Sequence, residues 1–583
     1  MNPMPSSIGW HAEAMLILAM AAPVLTALSG GIRPLRRHVP WMAALAALPA
    51  LLCALATPLG ATVEFSWLVL KSRFALDAAG RAFLLFTSLL WLFSSVFASG
   101  YMARDKKRFR FFFAFLLAMG GNFGLILAQD MLSYLVAFAL MSFASYGLIV
   151  HNQDAEAVRS GRVYIVLVVV GEIFLFSALA IHAGTGGTLN FQALSGVLSA
   201  PGIAVLLALG FGIKAGAVLL HVWLPLAHTV APTPASAVLS GSMIKAGLLG
   251  WIRFMPPGAG GDPAWGAVFL VAGFIAAFYG VAIGLGQRHP KTVLAYSSIS
   301  QMGLITVAFG IGLFVGSGAS AATAGILLYA FHHALAKGAL FLGVGVVGGI
   351  EGRSAKRVWV TAALGIAALA LAGAPLTTGA VAKTALKTAM VPLPDGWKET
   401  LAILLPLSAI GTTALMGRFF YTLRTYTAHH SVSKTEFCSW IGLLALSATA
   451  LFLIPDGRPA ADAMLKLGSV WLSLWPVAAG AGVATVVWLW NRRTGRSIAW
   501  CPPAGDLLVP IERLSGAVGR LAAMLTGKAQ GVLRTLTQKQ REGGTRKIPG
   551  LLESWEAGFG RWTLSGLVFA GVVCSLLLIL SWP

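Results

Sequence analysis

Lys214, His221 and His228 stand seven residues apart in "GIKAGAVLLHVWLPLAHTVAPTPASAV", a stretch otherwise apolar enough for lipid. An ammonium and two imidazoles at that spacing can take up and release protons. Imidazole titrates near neutrality unaided, and removal from water disfavours the charged form of an amine. On one continuous helix, residues seven apart lie two turns and about 10 Å from each other on one face. The three groups are therefore expected to form a row along which a proton can step. Pro225, Pro232 and Pro234 are expected to break the helix, freeing carbonyls and admitting water.

Other ionisable residues lie in equally apolar surroundings. Lys245 sits near the middle of "SGSMIKAGLLGWIRF", and "FHHALAKGALFLGVGV" places His333 and Lys337 at i and i+4, beside His332. Lys383 follows Pro375 in "GAPLTTGAVAKTAL", and Glu172 lies in an apolar run of its own. Charges at bilayer depth cost several kcal/mol and mark function by default. Lys387 is read instead as a helix-end residue whose amine reaches the interface. Lys214, Lys245, Lys337 and Lys383 on four helices predict a polar line through the bundle, parallel to the membrane. "APTPASAV" (231–238) also resembles "APLTTGAV" (374–381), and paired proline-interrupted helices in two halves of a chain mark repeated transporter folds.

The elements that position these groups must be membrane helices. The chain has 583 residues, 57% of them hydrophobic and 11% charged, where soluble proteins carry about 25% charged residues. Long continuous apolar runs favour helices over alternating barrel strands. They predict about sixteen spans, at 12–31, 41–60, 77–99, 111–129, 132–150, 163–183, 202–229, 233–254, 265–286, 292–313, 321–349, 358–390, 400–422, 437–455, 468–490 and 562–581. The net charge of +22 could suggest nucleic acid, but the basic residues cluster in alternate loops, at 33–37, 104–110, 159–162, 288–291, 353–357 and 492–496. That is the pattern of cytoplasmic loops, so no nucleic-acid partner is expected. Both termini are expected outside, with an uncleaved first span, because no Lys or Arg precedes it. Between 505 and 545, Leu507, Ile511, Leu514, Val518, Leu521 and Leu525 recur at helical spacing among basic residues. This predicts an amphipathic helix lying along the membrane surface or the protein's flank, tied down by the last span.

Four cysteines lie far apart and form no C-x-x-C pair, so no metal centre or redox cofactor is expected. Gly343-Val-Gly345-Val-Val-Gly348 fits G-x-G-x-x-G, but it lies within an apolar helix without β-α-β context, where small residues serve close packing.

"GFGIKAGAVLLHVWLPLAHTVAPTPASAVLSGSMIKAGLLGWIRF", "AYSSISQMGL" and "HHALAKGALFL" together resemble the proton-pumping antiporter-like membrane subunits of complex I, cation/proton antiporters and group 4 hydrogenases. The likeness runs over about residues 75–425 and is strongest to the hydrogenase-4 component B and formate hydrogenlyase branch. It implies two inverted five-helix repeats, 111–255 and 265–425, each with a broken helix and a proton half-channel. Around them lie N-terminal helices in 1–110, C-terminal helices in 437–490, the lateral helix 505–545 and the final span 562–581. Carried across, Lys214 becomes the channel lysine, Lys245 the connecting lysine, His333 and Lys337 the central axis, and Lys383 the exit-half residue. The family's Trp-Glu pair in the fifth helix is replaced by Phe138-Ala139, which leaves Glu172 as the nearest substitute carboxylate. The implied role is proton movement within a redox-linked complex of the bacterial cytoplasmic membrane, with other membrane subunits and a peripheral redox arm as partners. The competing expectations are a secondary cation/proton or inorganic-carbon-linked transporter, and a membrane anchor that no longer pumps.

Overall fold

The computed structural model describes residues 6–68, 71–191, 196–258, 261–352, 354–428, 430–454, 457–494 and 501–509. Helices α1 (Ser6–Ser29), α2 (Arg33–Arg36), α3 (Val39–Ala56) and α4 (Ala78–Tyr101) come first, with a hairpin of β1 (Thr62–Phe65) and β2 (Ser72–Ala75) between α3 and α4. A run follows of α5 (Arg108–Leu127), α6 (Met131–Ile149), α7 (Ala155–Gly184), then α8 (Pro201–Ala215) with α9 (Trp223–Val230), then α10 (Thr233–Val238) and α11 (Ile244–Phe254). A five-residue π turn, Leu239–Met243, joins α10 to α11. The second run is α12 (Pro263–Gly286), α13 (Pro290–Val315), α14 (Ser320–Gly348), α15 (Ala355–Ala372) with α16 (Thr378–Ala389), and α17 (Asp395–Leu423). The described helices end with α18 (Lys434–Leu453), α19 (Arg458–Met464) and α20 (Leu467–Thr494). Fourteen described helical stretches are long and apolar enough to cross a membrane, and α8 is a shorter apolar helix. Apart from that one hairpin, the described residues make a nearly all-helical, multi-pass membrane protein. The expected lateral helix and the span at 562–581 lie outside the described residues.

Local chemistry sets the helix ends. Asp77, Asp130 and Asp154 cap the starts of α4, α6 and α7, each accepting from a backbone N–H three residues on. Ser433 and Glu436 form a reciprocal capping box at α18. Hydrogen bonds between connections gather several helix ends at one end of the bundle: His151 to Asp105 at 2.9 Å, Lys107 to Gln153 at 2.8 Å and Arg104 to Ser431 at 3.4 Å. Arg357 ties α15 to its neighbours there by donating to the carbonyls of Val347, Ile350, Leu423, Arg424 and Tyr426.

Two expected spans are interrupted. The stretch 202–229 is not one helix: α8 stops at Ala215, residues 216–222 run irregularly, and α9 starts at Trp223. The break lies upstream of Pro225, which occupies the first turn of α9, where a missing N–H costs nothing. Pro232 and Pro234 mark the next boundary, as the residue capping α10 and its second residue. The stretch 358–390 is likewise divided at 373–377, around Pro375. Both breaks share one backbone device. Gly216 (φ 72°) and Gly373 (φ 82°) end their helices in the left-handed region, and Leu219 (φ 71°) and Leu376 (φ 61°) repeat it three residues on. Glycine enters that region freely, whereas leucine there is strained.

The buried centre comprises α5, the α10–α11 stretch, α13 and α14, whose span windows are mostly or wholly enclosed. Lys245, Lys291, His332, His333 and Lys337 lie on these elements, whereas Glu172, Lys214, His221, His228 and Lys383 lie on α7, α8, the first break, α9 and α16.

Candidate functional site

Lys214 lies in the last turn of α8 and is buried. Its Nζ donates to Ser142 Oγ on α6 at 3.2 Å and to Tyr164 Oη on α7 at 3.0 Å. The rings of Tyr164, Trp223 and Phe138 surround it, with centroids 5.4, 5.8 and 5.9 Å away. At such distances each ring face attracts a cation. Glu172, two turns along α7 from Tyr164, is within electrostatic reach of Lys214, yet no ion pair within 4.0 Å joins them among the described residues. Its Oε1 is buried and has no protein hydrogen-bond partner.

His221 and His228 do not continue a face of α8. The left-handed turn at Gly216 ends that helix, so the seven-residue spacing no longer fixes direction. His221 lies in the break, buried against Tyr279 of α12 and Tyr296 of α13, with ring centroids 5.1 and 6.3 Å away. His228, on α9, stacks on Phe341 of α14 at 4.6 Å and lies within electrostatic reach of Lys291, Lys337 and Lys245.

Lys245 and Lys337 each bond into one group of polar atoms on the π turn and α13. Lys245 Nζ donates to the Ser240 carbonyl at 2.7 Å, within the π turn, where helical pairing is shifted. Ser240 Oγ meets Ser298 Oγ on α13 at 2.7 Å, and Ser298 Oγ donates to the Leu294 carbonyl at 3.0 Å. Lys337 Nζ donates to that same carbonyl and to Ser297 Oγ, each at 2.7 Å. His333, one turn before Lys337 on α14, is within electrostatic reach of Lys245, Lys337 and His332. Both ring nitrogens of His333 and of His228 are buried without a protein hydrogen bond.

The line continues to the second break. His332 Nδ1 is 2.9 Å from Thr378 Oγ1 on α16, and that hydroxyl donates to the Ser447 carbonyl at 2.8 Å. Thr378 has spent its only proton, so His332 must donate from Nδ1, leaving Nε2 as the acceptor. Lys383 Nζ donates at 2.6 Å to the Ala372 carbonyl, which the end of α15 leaves without a helical partner. Lys383 and Lys387 border a cleft of about 30 Å³ with Leu405 and Pro476, room for a water molecule. Lys387 is exposed at its mouth.

Sequence reasoning missed several members. Lys291 reads as a loop charge but is buried, its Nζ on the Ala231 carbonyl at 2.7 Å, at the α9–α10 junction. The signal was its place directly after Pro290, a helix-starting proline. The cage around Lys214 and the Ser240–Ser298 bridge unite residues from different helices and leave no local pattern. Arg253, at the end of α11, pairs with Asp77 at the start of α4. Among the described residues no cluster of His, Cys, Asp and Glu could hold a metal ion.

Residues 128–397 match the family described as NADH:quinone oxidoreductase/Mrp antiporter, transmembrane. The chain is 30% identical over 346 residues to "Hydrogenase-4 component B" of Escherichia coli K12, covering 55% of this chain and 50% of that one. It is 28% identical over 330 residues to a Na(+)/H(+) antiporter subunit of Alkalihalophilus pseudofirmus, covering 53% and 65%. The chain spans about half the length of the hydrogenase relative it matches. In fold it is similar to a chain of the Mrp complex of Dietzia sp. DQ12-45-1b, with TM-score 0.71, 24% identity, and coverage of 94% of this chain and 65% of that one. Over residues 128–397 the chain thus resembles the transmembrane part of the antiporter-like membrane subunits, and its fold is that of a chain of an Mrp complex.

Proposed function

We propose that the chain moves protons through the membrane as a subunit of a larger redox-linked complex, along Lys214, Glu172, His221, His228, Lys245, His333, Lys337 and Lys383. The observation that supports this reading is the cluster of polar groups between Lys245 and Lys337, in which Lys245 holds the Ser240 carbonyl, Ser240 Oγ meets Ser298 Oγ, and Ser298 and Lys337 share the Leu294 carbonyl. It occupies the buried centre between the two broken helices. The ring nitrogens of His228 and His333 without protein partners are where water enters the path, since buried polar groups take partners. A run of five crossings places the next run's start on the opposite side of the membrane. In this reading the two runs, each broken in its fourth crossing, form an inverted pair with one half-channel in each. In this reading, which follows the positive-inside pattern, the end that holds His151 and Arg104 faces the cytoplasm of a bacterial inner membrane and both termini lie outside. The complex supplies the remaining membrane subunits, in keeping with relatives that are a hydrogenase-4 component and an antiporter subunit, and in this reading also a peripheral redox arm. In this reading the redox chemistry belongs to partner subunits.

The test is proton flux in vesicles holding the assembled complex. Lys214→Ala and Lys383→Ala each abolish flux while the complex still assembles. Normal flux in both variants refutes the assignment.

A second reading, a membrane anchor without pumping, is favoured by Ala139 and by the lack of a carboxylate in ion-pair contact with Lys214 among the described residues. Under it, Ala139→Glu leaves proton flux unchanged; a changed flux excludes it. The third, a secondary cation/proton or inorganic-carbon-linked transporter, requires that the purified assembly contain no iron–sulfur or nickel protein.

A further inference from the structure

A cleft of about 1080 Å³ opens at the basic end of the bundle, between α15, α17 and α20, large for a small-molecule site. Its rim carries Arg288, Arg418 and Arg424. Arg288 and Arg424 are exposed, and neither guanidinium has a protein partner among the described residues. Arg418 uses only Nε, on the Gln287 carbonyl at 2.8 Å, and its guanidinium lies 5.3 Å from the Tyr421 ring. The fourth lining arginine, Arg357, is committed to backbone carbonyls. No carboxylate lines the cleft among the described residues.

Below this rim the chemistry changes. Val358 is 65% exposed, Ala362 is exposed, and a side chain at Gly365 would meet open space. From Ala355 to Gly365 this wall descends about 15 Å at 1.5 Å per residue. The opposite wall is held close where Gly417 of α17 meets Ala484 of α20. Trp488 lines the cleft and stacks against Arg492 at 5.5 Å, an aromatic–basic pair of the kind that sits at the headgroup level.

We propose that this cleft holds an anionic phospholipid, its phosphate on Arg418 and Arg424, its headgroup beside Arg288, and its acyl chains along Val358, Ala362 and Gly365. Positive-inside loops alone would account for scattered arginines. They do not account for three guanidiniums without acidic partners over an apolar trough that leads into the bilayer. Guanidinium binds phosphate through two parallel hydrogen bonds, and the trough gives the tails a wall that solvent phosphate could not use. The site lies apart from the lysine line and does not depend on the transport reading.

The assembled complex, extracted in mild detergent, is compared with Arg418→Gln/Arg424→Gln, with Arg418→Lys/Arg424→Lys, and with Gly365→Trp, which fills the trough and leaves every charge. Retained lipid is measured by mass spectrometry. Thermal stability is read in phosphatidylcholine vesicles with and without phosphatidylglycerol, and in detergent with inorganic phosphate. Wild type keeps an anionic phospholipid and gains stability only from phosphatidylglycerol. The glutamine pair and Gly365→Trp lose that lipid at least tenfold, and the lysine pair keeps part of it. The proposal falls if the variants retain as much lipid as wild type, if phosphatidylcholine stabilises equally, or if inorganic phosphate reproduces the effect. It also falls if a cross-linker on Arg424→Cys captures another polypeptide in place of lipid.

Discussion

Replacing Gly373 by alanine tests how the second break holds its lysine. Gly373 has φ 82°, and a Cβ built there would sit 2.6 Å from Lys383 Cδ, 2.9 Å from Cε and 2.8 Å from Nζ. Alanine in the left-handed region costs about 1–2 kcal/mol. Here it also drives the Lys383 side chain off the Ala372 carbonyl, a charge-assisted bond whose loss costs about 1.5–3 kcal/mol. The total is about 2.5–5 kcal/mol. Gly216 is the built-in control. Its φ is 72°, but its Cβ would meet only Leu224 Cδ2, at an ordinary 3.5 Å. Gly216→Ala should therefore cost the backbone share alone, about 1–2 kcal/mol. Stability in mild detergent should rank wild type, then Gly216→Ala, then Gly373→Ala. Proton flux in the assembled complex should survive Gly216→Ala and fall in Gly373→Ala to the level of Lys383→Ala. A double-mutant cycle sharpens the claim: in a Lys383→Ala background, Gly373→Ala should cost only the backbone share. Additive effects, or wild-type flux in Gly373→Ala, would refute the reasoning.

Three further outcomes follow from the geometry. Tyr164→Phe keeps the ring beside Lys214 but removes the hydroxyl at 3.0 Å; it should cost about 1.5–3 kcal/mol, and Tyr164→Leu should cost more by the lost ring attraction, with equal melting points speaking against the aromatic cage. Ser298→Ala cuts the Ser240 bridge and should slow proton flux several-fold for about 1 kcal/mol of stability; unchanged flux would remove that bridge from the path. His289, just before α13, is lowered from 6.5 to about 4 by burial and by the nearby Lys291 charge. Between those values the folded chain holds fewer protons than the unfolded one, so stability is full above pH 6.5 and falls by up to about 3 kcal/mol as pH drops toward 4. His289→Phe should abolish that acid-side loss in denaturation measured from pH 7.5 to 4.5, and an unchanged slope would count against it.

The spans were readable because about 20 apolar residues in a row have few other uses. The breaks were readable as existing, but not in place. Apolarity runs unbroken through 216–222, and prolines draw the eye to Pro225, Pro232 and Pro234. The first break is made by Gly216 and Leu219, and dihedral angles are not written in hydropathy. The echo of 231–238 in 374–381 paired the wrong segments for this purpose. By backbone shape the counterparts are "GAVL" at 216–219 and "GAPL" at 373–376, each with a left-handed glycine and leucine. The expected Lys214–His221–His228 face failed for the same reason: helical spacing fixes direction only while the helix lasts. The types of the residues were legible, because ionisable groups in apolar runs are expensive. Their partners were not, since Ser142, Tyr164 and Trp223 reach Lys214 from three separate elements.

The partners explain how so many amines can share one interior. Lys245, Lys291, Lys337 and Lys383 each donate to a backbone carbonyl, and Lys214 to two hydroxyls. Several of those carbonyls are spare because the helix is broken or wound as a π turn, so irregular backbone supplies the dipoles that carboxylates supply elsewhere. Dipoles satisfy an ammonium without neutralising it. Lys245 and Lys337, when both are charged, therefore repel one another across the serines between them. Under the proposed reading, that repulsion is the coupling: a change of charge at either break reaches the centre because, among the described residues, no counter-ion there absorbs it. Glu172, among the described residues the one carboxylate within reach of Lys214, stands at one end of the line. It is where a pairing that forms and breaks can start the transfer.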